Sequence, residues 1–370
     1  MLIKNAKVYN AISNTFEKRD VCTDKGIISS SSKDGIVIDA IGKYLVPGLV
    51  DGHTHGRMGI DILKADKKQL EELSLRYLES GVTTVFPTVM TAPMEDILKA
   101  IDNIKSAETK GAEFAGIHVE GPYISPNKPG CHNVSLIRKP VADEMIEIAK
   151  RIYPLKAKFT IAPEEAEEGT IEKLSEYAKI SIGHTNATSR QAYDALLEGA
   201  NSFTHTFNAM SPITHRNPGA ASAALSSEAY SEFICDGIHV DYDVIEMAYK
   251  AKTRWINKFV LITDSIPQAG LPYGKYEMNG IPFTLSTRGA REEDGTLVGS
   301  TLSMLQAMQN VVKNCGVPLE DAVASASTVP CLMLGLLDRG KIIEGKIADL
   351  LILDDKLNIE HIIRKGEVFK

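Results

Sequence analysis

From about residue 46 to residue 265, short apolar runs alternate with amphipathic stretches of helical period. Eight such runs occur, over residues 49–55, 83–89, 114–121, 158–164, 179–185, 201–208, 232–239 and 258–265. Helix candidates lie between them. Residues 67–80 set Leu70, Leu73 and Tyr77 on one face and meet Gly81, a natural helix stop because glycine accepts a left-handed backbone. Residues 188–199 have a polar start and a glycine end. Strand and helix repeated eight times, with runs too apolar to face water, predict a closed parallel (β/α)8 barrel of the TIM type, an α/β fold. An open doubly wound sheet is the competing arrangement, but no glycine-rich phosphate fingerprint follows the first strand.

The chain ends follow a different pattern. Residues 1–46 show short alternating stretches broken by Asn, Asp, Ser and Gly, and residues 345–353 and 362–369 return to β character. Both termini are therefore expected to form one small β-sandwich domain, 1–46 with 340–370, beside a catalytic barrel spanning 47–339. Within the barrel, residues near 274–298 read as a hairpin insertion, and 302–314 and 319–332 as closing helices.

A chain of 370 residues exceeds the size at which one core usually stops growing, which suits a large domain plus a satellite. With 44% hydrophobic and 24% charged residues it has the composition of a soluble globular protein, and no run approaches a bilayer span. The N-terminus reads as a strand without the apolar centre of a secretory signal, so a cytoplasmic location is expected. The five cysteines are widely spaced and form no CxxC pair, which argues against a disulfide framework. A net charge of -7 without a basic cluster argues against nucleic acid as a partner, and no membrane association is expected.

Candidate chemistry sharpens the picture. Of nine histidines, His53, His55, His184, His205 and His239 fall within or at the ends of the predicted strands, where barrel enzymes build their sites. His53 and His55 are two apart on one strand and project to the same side, so both can grip one cation. Taken singly, a histidine at a strand end is commonly a hydrogen-bonded core residue. Together with single histidines ending the fifth and sixth strands, the pair points to a metal site. Glu120, ending the third strand, can complete a shell of imidazoles and oxygen. Asp264, ending the eighth, is placed to take a proton from a metal-activated water and deliver it to a leaving group.

The motifs carrying these residues are His118-Val119-Glu120-Gly121-Pro122-Tyr123-Ile124, Gly183-His184-Thr185, Thr204-His205-Thr206-Phe207-Asn208-Ala209-Met210, Cys235-Asp236-Gly237-Ile238-His239, Ile262-Thr263-Asp264-Ser265 and Gly295-Thr296-Leu297-Val298-Gly299-Ser300. In order and spacing the chain resembles N-acetylglucosamine-6-phosphate deacetylases of the amidohydrolase superfamily, from Val46 through Leu350. The resemblance implies that Glu120, His184 and His205 hold the principal divalent metal, zinc by preference with iron, manganese or cobalt as alternatives. His53 and His55 would allow a second ion in each subunit. It implies Asp264 as general base and acid, and His132 as the residue that hydrogen-bonds the acetyl carbonyl. Substrate contacts are implied for Asn208 and Ala209 at the phosphate, for His239 at a sugar hydroxyl and for Leu297. Arg216 resembles a phosphate-binding arginine that relatives can supply from a neighbouring subunit, which implies a homodimer acting on a small phosphosugar. The stretches His55-Gly56-Arg57-Met58-Gly59 and Ser265-Ile266-Pro267-Gln268-Ala269-Gly270 depart from the commoner pattern and leave glucosamine and galactosamine epimers open. Two other readings stand beside this one: a cyclic-amide hydrolase of the dihydroorotase or hydantoinase kind, and a silent phosphosugar-binding protein. The former usually carries a lysine ending the fourth strand, where this chain has Ala162-Pro163-Glu164, with Lys156 and Lys158 at the strand's start.

Overall fold

The computed structural model describes residues 1–32, 35–254 and 256–370. Its centre is a ring of parallel strands: β1 (Leu49–Thr54), β2 (Val82–Met90), β3 (Gly116–Glu120), β4 (Lys156–Ile161), β5 (Lys179–Ile182), β6 (Ser202–Phe203), β7 (Tyr230–Ile234) and β8 (Phe259–Ile262). Neighbours in sequence pair in order from β1 to β8. The ring closes where Asp264 N donates to His53 O at 2.9 Å and His55 N donates to Ser265 O at 2.8 Å. This is the expected (β/α)8 barrel.

Helices α1 (Lys67–Glu79), α2 (Met94–Ser106), α3 (Ala142–Ile152), α4 (Thr170–Ser175), α5 (Ser189–Leu197), α6 (Ala220–Ser226), α7 (Tyr242–Lys252) and α8 (Met304–Asn314) follow the strands in turn. Local chemistry sets their ends. Asp66 and Gln69 form a capping box at the start of α1, as Thr188 and Gln191 do for α5, so orphan amides there are satisfied by side chains. Leu70, Leu73 and Tyr77 of α1 are buried, as their spacing predicts. The closing helix expected over 319–332 is instead two, α9 (Leu319–Ala326) and α10 (Thr328–Leu334), broken at Ser327. Pro330 accounts for the break: it has no N–H, and its ring would clash with the carbonyl four residues back.

Both termini share one mixed eight-stranded sheet, in which Tyr44–Pro47 pairs with Leu2–Asn10 on one side and Leu350–Leu353 on the other. Its own apolar cluster includes Met1, Ile3, Val8, Leu45, Leu350 and Ile363. Glu113, bound by Arg339 at 2.8 Å and Arg364 at 3.2 Å, links this sheet to the barrel. The insertion after β8 is a three-stranded sheet, Gly274–Met278, Ile281–Ser286 and Gly289–Arg291, whose far end overhangs the barrel mouth. Among the described residues no helix is long and apolar enough to cross a membrane.

Alternation along each strand decides what faces inward. Phe159 and Ile161 of β4 turn outward to the helices, while Lys158 and Thr160 turn into the barrel, and the interior of this barrel is polar. His118 bonds Thr160 at 2.8 Å, Thr160 bonds Thr204 at 2.8 Å, and Thr204 donates to Ser181 at 2.6 Å. A core usually filled by branched apolar side chains is thus partly a hydrogen-bonded lattice beneath the mouth.

Candidate metal centre and active site

The expected ligands converge at the C-terminal end of the strands. Glu120 Oε1 lies 3.2 Å from His184 Nε2 and 3.0 Å from His205 Nε2, and those two ring nitrogens are 3.0 Å apart. Glu120 Oε2 lies 3.2 Å from His53 Nε2 and 3.0 Å from His55 Nε2. Asp264 Oδ1 stands 3.4 Å and 3.3 Å from the same two nitrogens. Two candidate cation clusters follow among the described residues, Glu120–His184–His205 and His53–His55–Asp264, with Glu120 touching both.

These distances fit an ion. Ligands at roughly 2.0–2.1 Å from a tetrahedral metal are spaced by roughly 3.3 Å, close to what is seen. The chemistry fits as well. With His184 Nδ1 donating to Lys128 O at 3.1 Å, the lone pair of its Nε2 faces Glu120 and His205. Lone pairs and a carboxylate packed this tightly, out of water, need a positive charge among them.

Electrostatics agree. Burial opposes a charge on His53, but Glu120 and Asp264 outweigh it and raise its pKa to about 10; His55 rises to about 9 through the same carboxylates against the same burial penalty. Glu120, despite burial, is held well below the ordinary carboxylate range by His53, His184 and His205. Asp264 is likewise driven down, burial being overcome by His53 and His55. Without a metal, His53 and His55 therefore hold protons, whereas burial keeps His205 below the ordinary imidazole range. Because ligation needs neutral imidazole, loading the chelated protein at pH 8 is expected to release protons, and binding should tighten as pH rises. Calorimetry in buffers of different ionisation enthalpy checks this; a heat independent of buffer contradicts it.

The backbone is bent to present these groups. His184 (φ 46°), His205 (φ 28°), Ala209 (φ 45°) and Asp264 (φ 49°) all have left-handed conformations, costly for side chains other than glycine and characteristic of functional sites. This explains why the sixth run, predicted as strand over 201–208, is strand only at Ser202–Phe203: from His205 the chain turns.

A cavity of about 510 Å³ opens above the ligands, lined by His55, Glu120, His132, His184, His205, Asn208, Ala209, His239, Asp264 and Leu297. His53 lies deeper and is fully buried. Burial, above all, pushes the pKa of His132 well below the ordinary imidazole range, and its Nδ1 lies 2.7 Å from Thr91 Oγ1. Gly121 makes that contact possible: it sits at φ 82°, and a Cβ there would come within 2.1 Å of Thr91 Oγ1. His239 is oriented by Asp236, with Nδ1 2.7 Å from Oδ2. The amide and side-chain Nδ2 of Asn208 both donate to His205 O, at 3.0 and 3.1 Å. Arg216 is exposed on the loop before α6 and does not line the cavity. Sequence reasoning gave no role to Thr91, Asp236, Lys158 or Glu232; for the last two, a charge at the head of an apolar run was the one available signal.

The chain matches the amidohydrolase family over residues 44–369 and belongs to that family. An N-acetylglucosamine-6-phosphate deacetylase from Lysinibacillus sphaericus is 33% identical over 100% of this chain and 97% of that protein. An N-acetylgalactosamine-6-phosphate deacetylase from Escherichia coli O157:H7 is 32% identical over 88% of each. Among solved structures, an aspartate-to-alanine mutant of the Mycobacterium smegmatis N-acetyl-D-glucosamine-6-phosphate deacetylase, in complex with that sugar phosphate, has a TM-score of 0.87 at 28% identity, covering 100% of this chain and 98% of that one.

Proposed function

We propose that the protein hydrolyses the acetamide of N-acetylglucosamine 6-phosphate, or of its galactosamine epimer, to the amino-sugar phosphate and acetate. The observation that carries this reading is the buried convergence of Glu120, His184 and His205 beside Asp264, in a chain whose full-length relatives are deacetylases of these sugars. A bound divalent ion supplies a lowered pKa for water and polarises an amide carbonyl. Glu120, His184 and His205 would hold it, and one carboxylate with two imidazoles is a donor set of catalytic zinc, so we assign zinc ahead of iron, manganese or cobalt. His53, His55 and Asp264 make a second subsite, giving one or two ions per subunit.

Asp264 accepts a proton from the attacking water and passes it to the amide nitrogen, without which the amine is a poor leaving group. His132 donates from Nε2 to the acetamide oxygen as negative charge builds there. The Thr91 hydroxyl, donating to Nδ1, keeps the proton on the useful nitrogen. Thr91→Val is expected to lower kcat by about 10- to 100-fold with metal content unchanged; elemental analysis beside steady-state kinetics checks it, and an unaltered kcat removes Thr91 from this role.

His239 meets a sugar hydroxyl, with Leu297 against the sugar, while Asn208 and Ala209 receive the phosphate. Arg216, exposed outside its own cavity, we assign to the phosphate in a neighbouring subunit, which makes the enzyme a homodimer. Residues 47–339 form the catalytic unit and 1–46 with 340–370 the satellite. Five unpaired cysteines accord with a reducing, cytoplasmic setting. The test is acetate release from both epimers before and after chelation. Metal-dependent release supports the reading; opening of a cyclic amide with no release from either sugar overturns it.

A further inference from the structure

We infer that the buried pair Lys158 and Glu232 positions His53 and thereby sets the affinity of the second metal subsite. The inference rests on reading His53, His55 and Asp264 as that subsite.

Lys158 on β4 and Glu232 on β7 face each other across the barrel interior, and both are 0% exposed. The Lys158 ammonium donates to Glu232 Oε1 and, at 3.4 Å, to the carbonyl of Gly52, the residue before His53. The other carboxylate oxygen, Glu232 Oε2, has no hydrogen-bond partner, and neither has His53 Nδ1. These two unpartnered atoms are 3.8 Å apart. The opposite nitrogen of the ring, Nε2, is the one that faces Glu120 Oε2 and Asp264 Oδ1. A carboxylate behind a ligating imidazole takes the distal N–H, leaving the lone pair on the metal side and fixing the ring plane. At 3.8 Å that bond is open, and a shift of more than about half an ångström toward Glu232 would close it. A cation on Nε2 would make the Nδ1–H a stronger donor to the Glu232 carboxylate.

The charge pair is hard to explain otherwise. Desolvating two charges is costly, and apolar side chains of similar volume commonly stabilise a core as well or better. Barrel interiors are ordinarily filled that way. Lys158 neutralises Glu232 and holds its carboxylate upright beneath His53, a task an apolar pair cannot perform.

The test uses the full-length protein, chelated and then titrated with Zn²⁺ by equilibrium dialysis and elemental analysis. Wild type is expected to take two equivalents. Lys158→Met with Glu232→Leu leaves no unpaired charge behind, and should weaken the second equivalent about 10- to 100-fold while sparing the first. Lys158→Met with Glu232→Gln keeps an oxygen that can accept from Nδ1 and should recover part of that affinity. If both double variants keep wild-type affinity for the second equivalent, or lose both equivalents alike, the inference is overturned. If wild type itself takes one equivalent, the two-ion reading fails, and the inference with it.

Discussion

Asp264→Asn is expected to lower kcat by about three to four orders of magnitude while leaving the protein folded and the principal ion bound, the upper range for loss of a general acid and base. The size follows from double duty, since one carboxylate takes the proton from water and returns it to the amine. The backbone at this position is held without help from the side chain: its N donates to His53 O at 2.9 Å and its O accepts from Ser300 N at 2.8 Å. Gly299, at φ 120°, is packed so that a Cβ would come within 2.9 Å of Asp264 O. A carboxamide therefore occupies the same place but cannot carry the proton. Kinetics together with metal analysis check this, and turnover within tenfold of wild type would remove Asp264 from the chemistry.

Glu120→Gln should have a different signature. Its two oxygens serve both clusters, Oε1 toward His184 and His205 and Oε2 toward His53 and His55. Losing the negative charge removes the counterion of a nearly buried site, so ion affinity should fall by more than the roughly 10- to 100-fold that an outer partner costs. Activity should fall in parallel and return in part at high Zn²⁺. Full metal content in this variant would show that the histidines alone hold the ion.

What the chain disclosed beforehand follows from what barrel chemistry demands. Ligands must end strands, and strands announce themselves as apolar runs, so Glu120, His184, His205 and Asp264 could be placed by position alone. The pair His53 and His55 was legible because a period of two puts them on one face. Lys158 was not: a lysine near the start of a run reads as a solvated strand end, and only closure of the barrel shows that it points inward to Glu232. Its capture there also leaves Ala162-Pro163-Glu164 without a bridging lysine, as the sequence indicated. Thr91 escaped because its partner His132 lies on a loop whose return over β2 depends on the tight approach at Gly121. The break at Ser327 shows one local rule, proline inside a helix, prevailing over an apolar periodicity that ran through it.

The central claim is that residues distant in sequence share one divalent ion. Anomalous diffraction from zinc-loaded crystals tests it most directly. A peak is expected at about 2.0–2.2 Å from Glu120 Oε1, His184 Nε2 and His205 Nε2 at once. A metal-loaded crystal with its peak away from these three atoms, or with none, would contradict it.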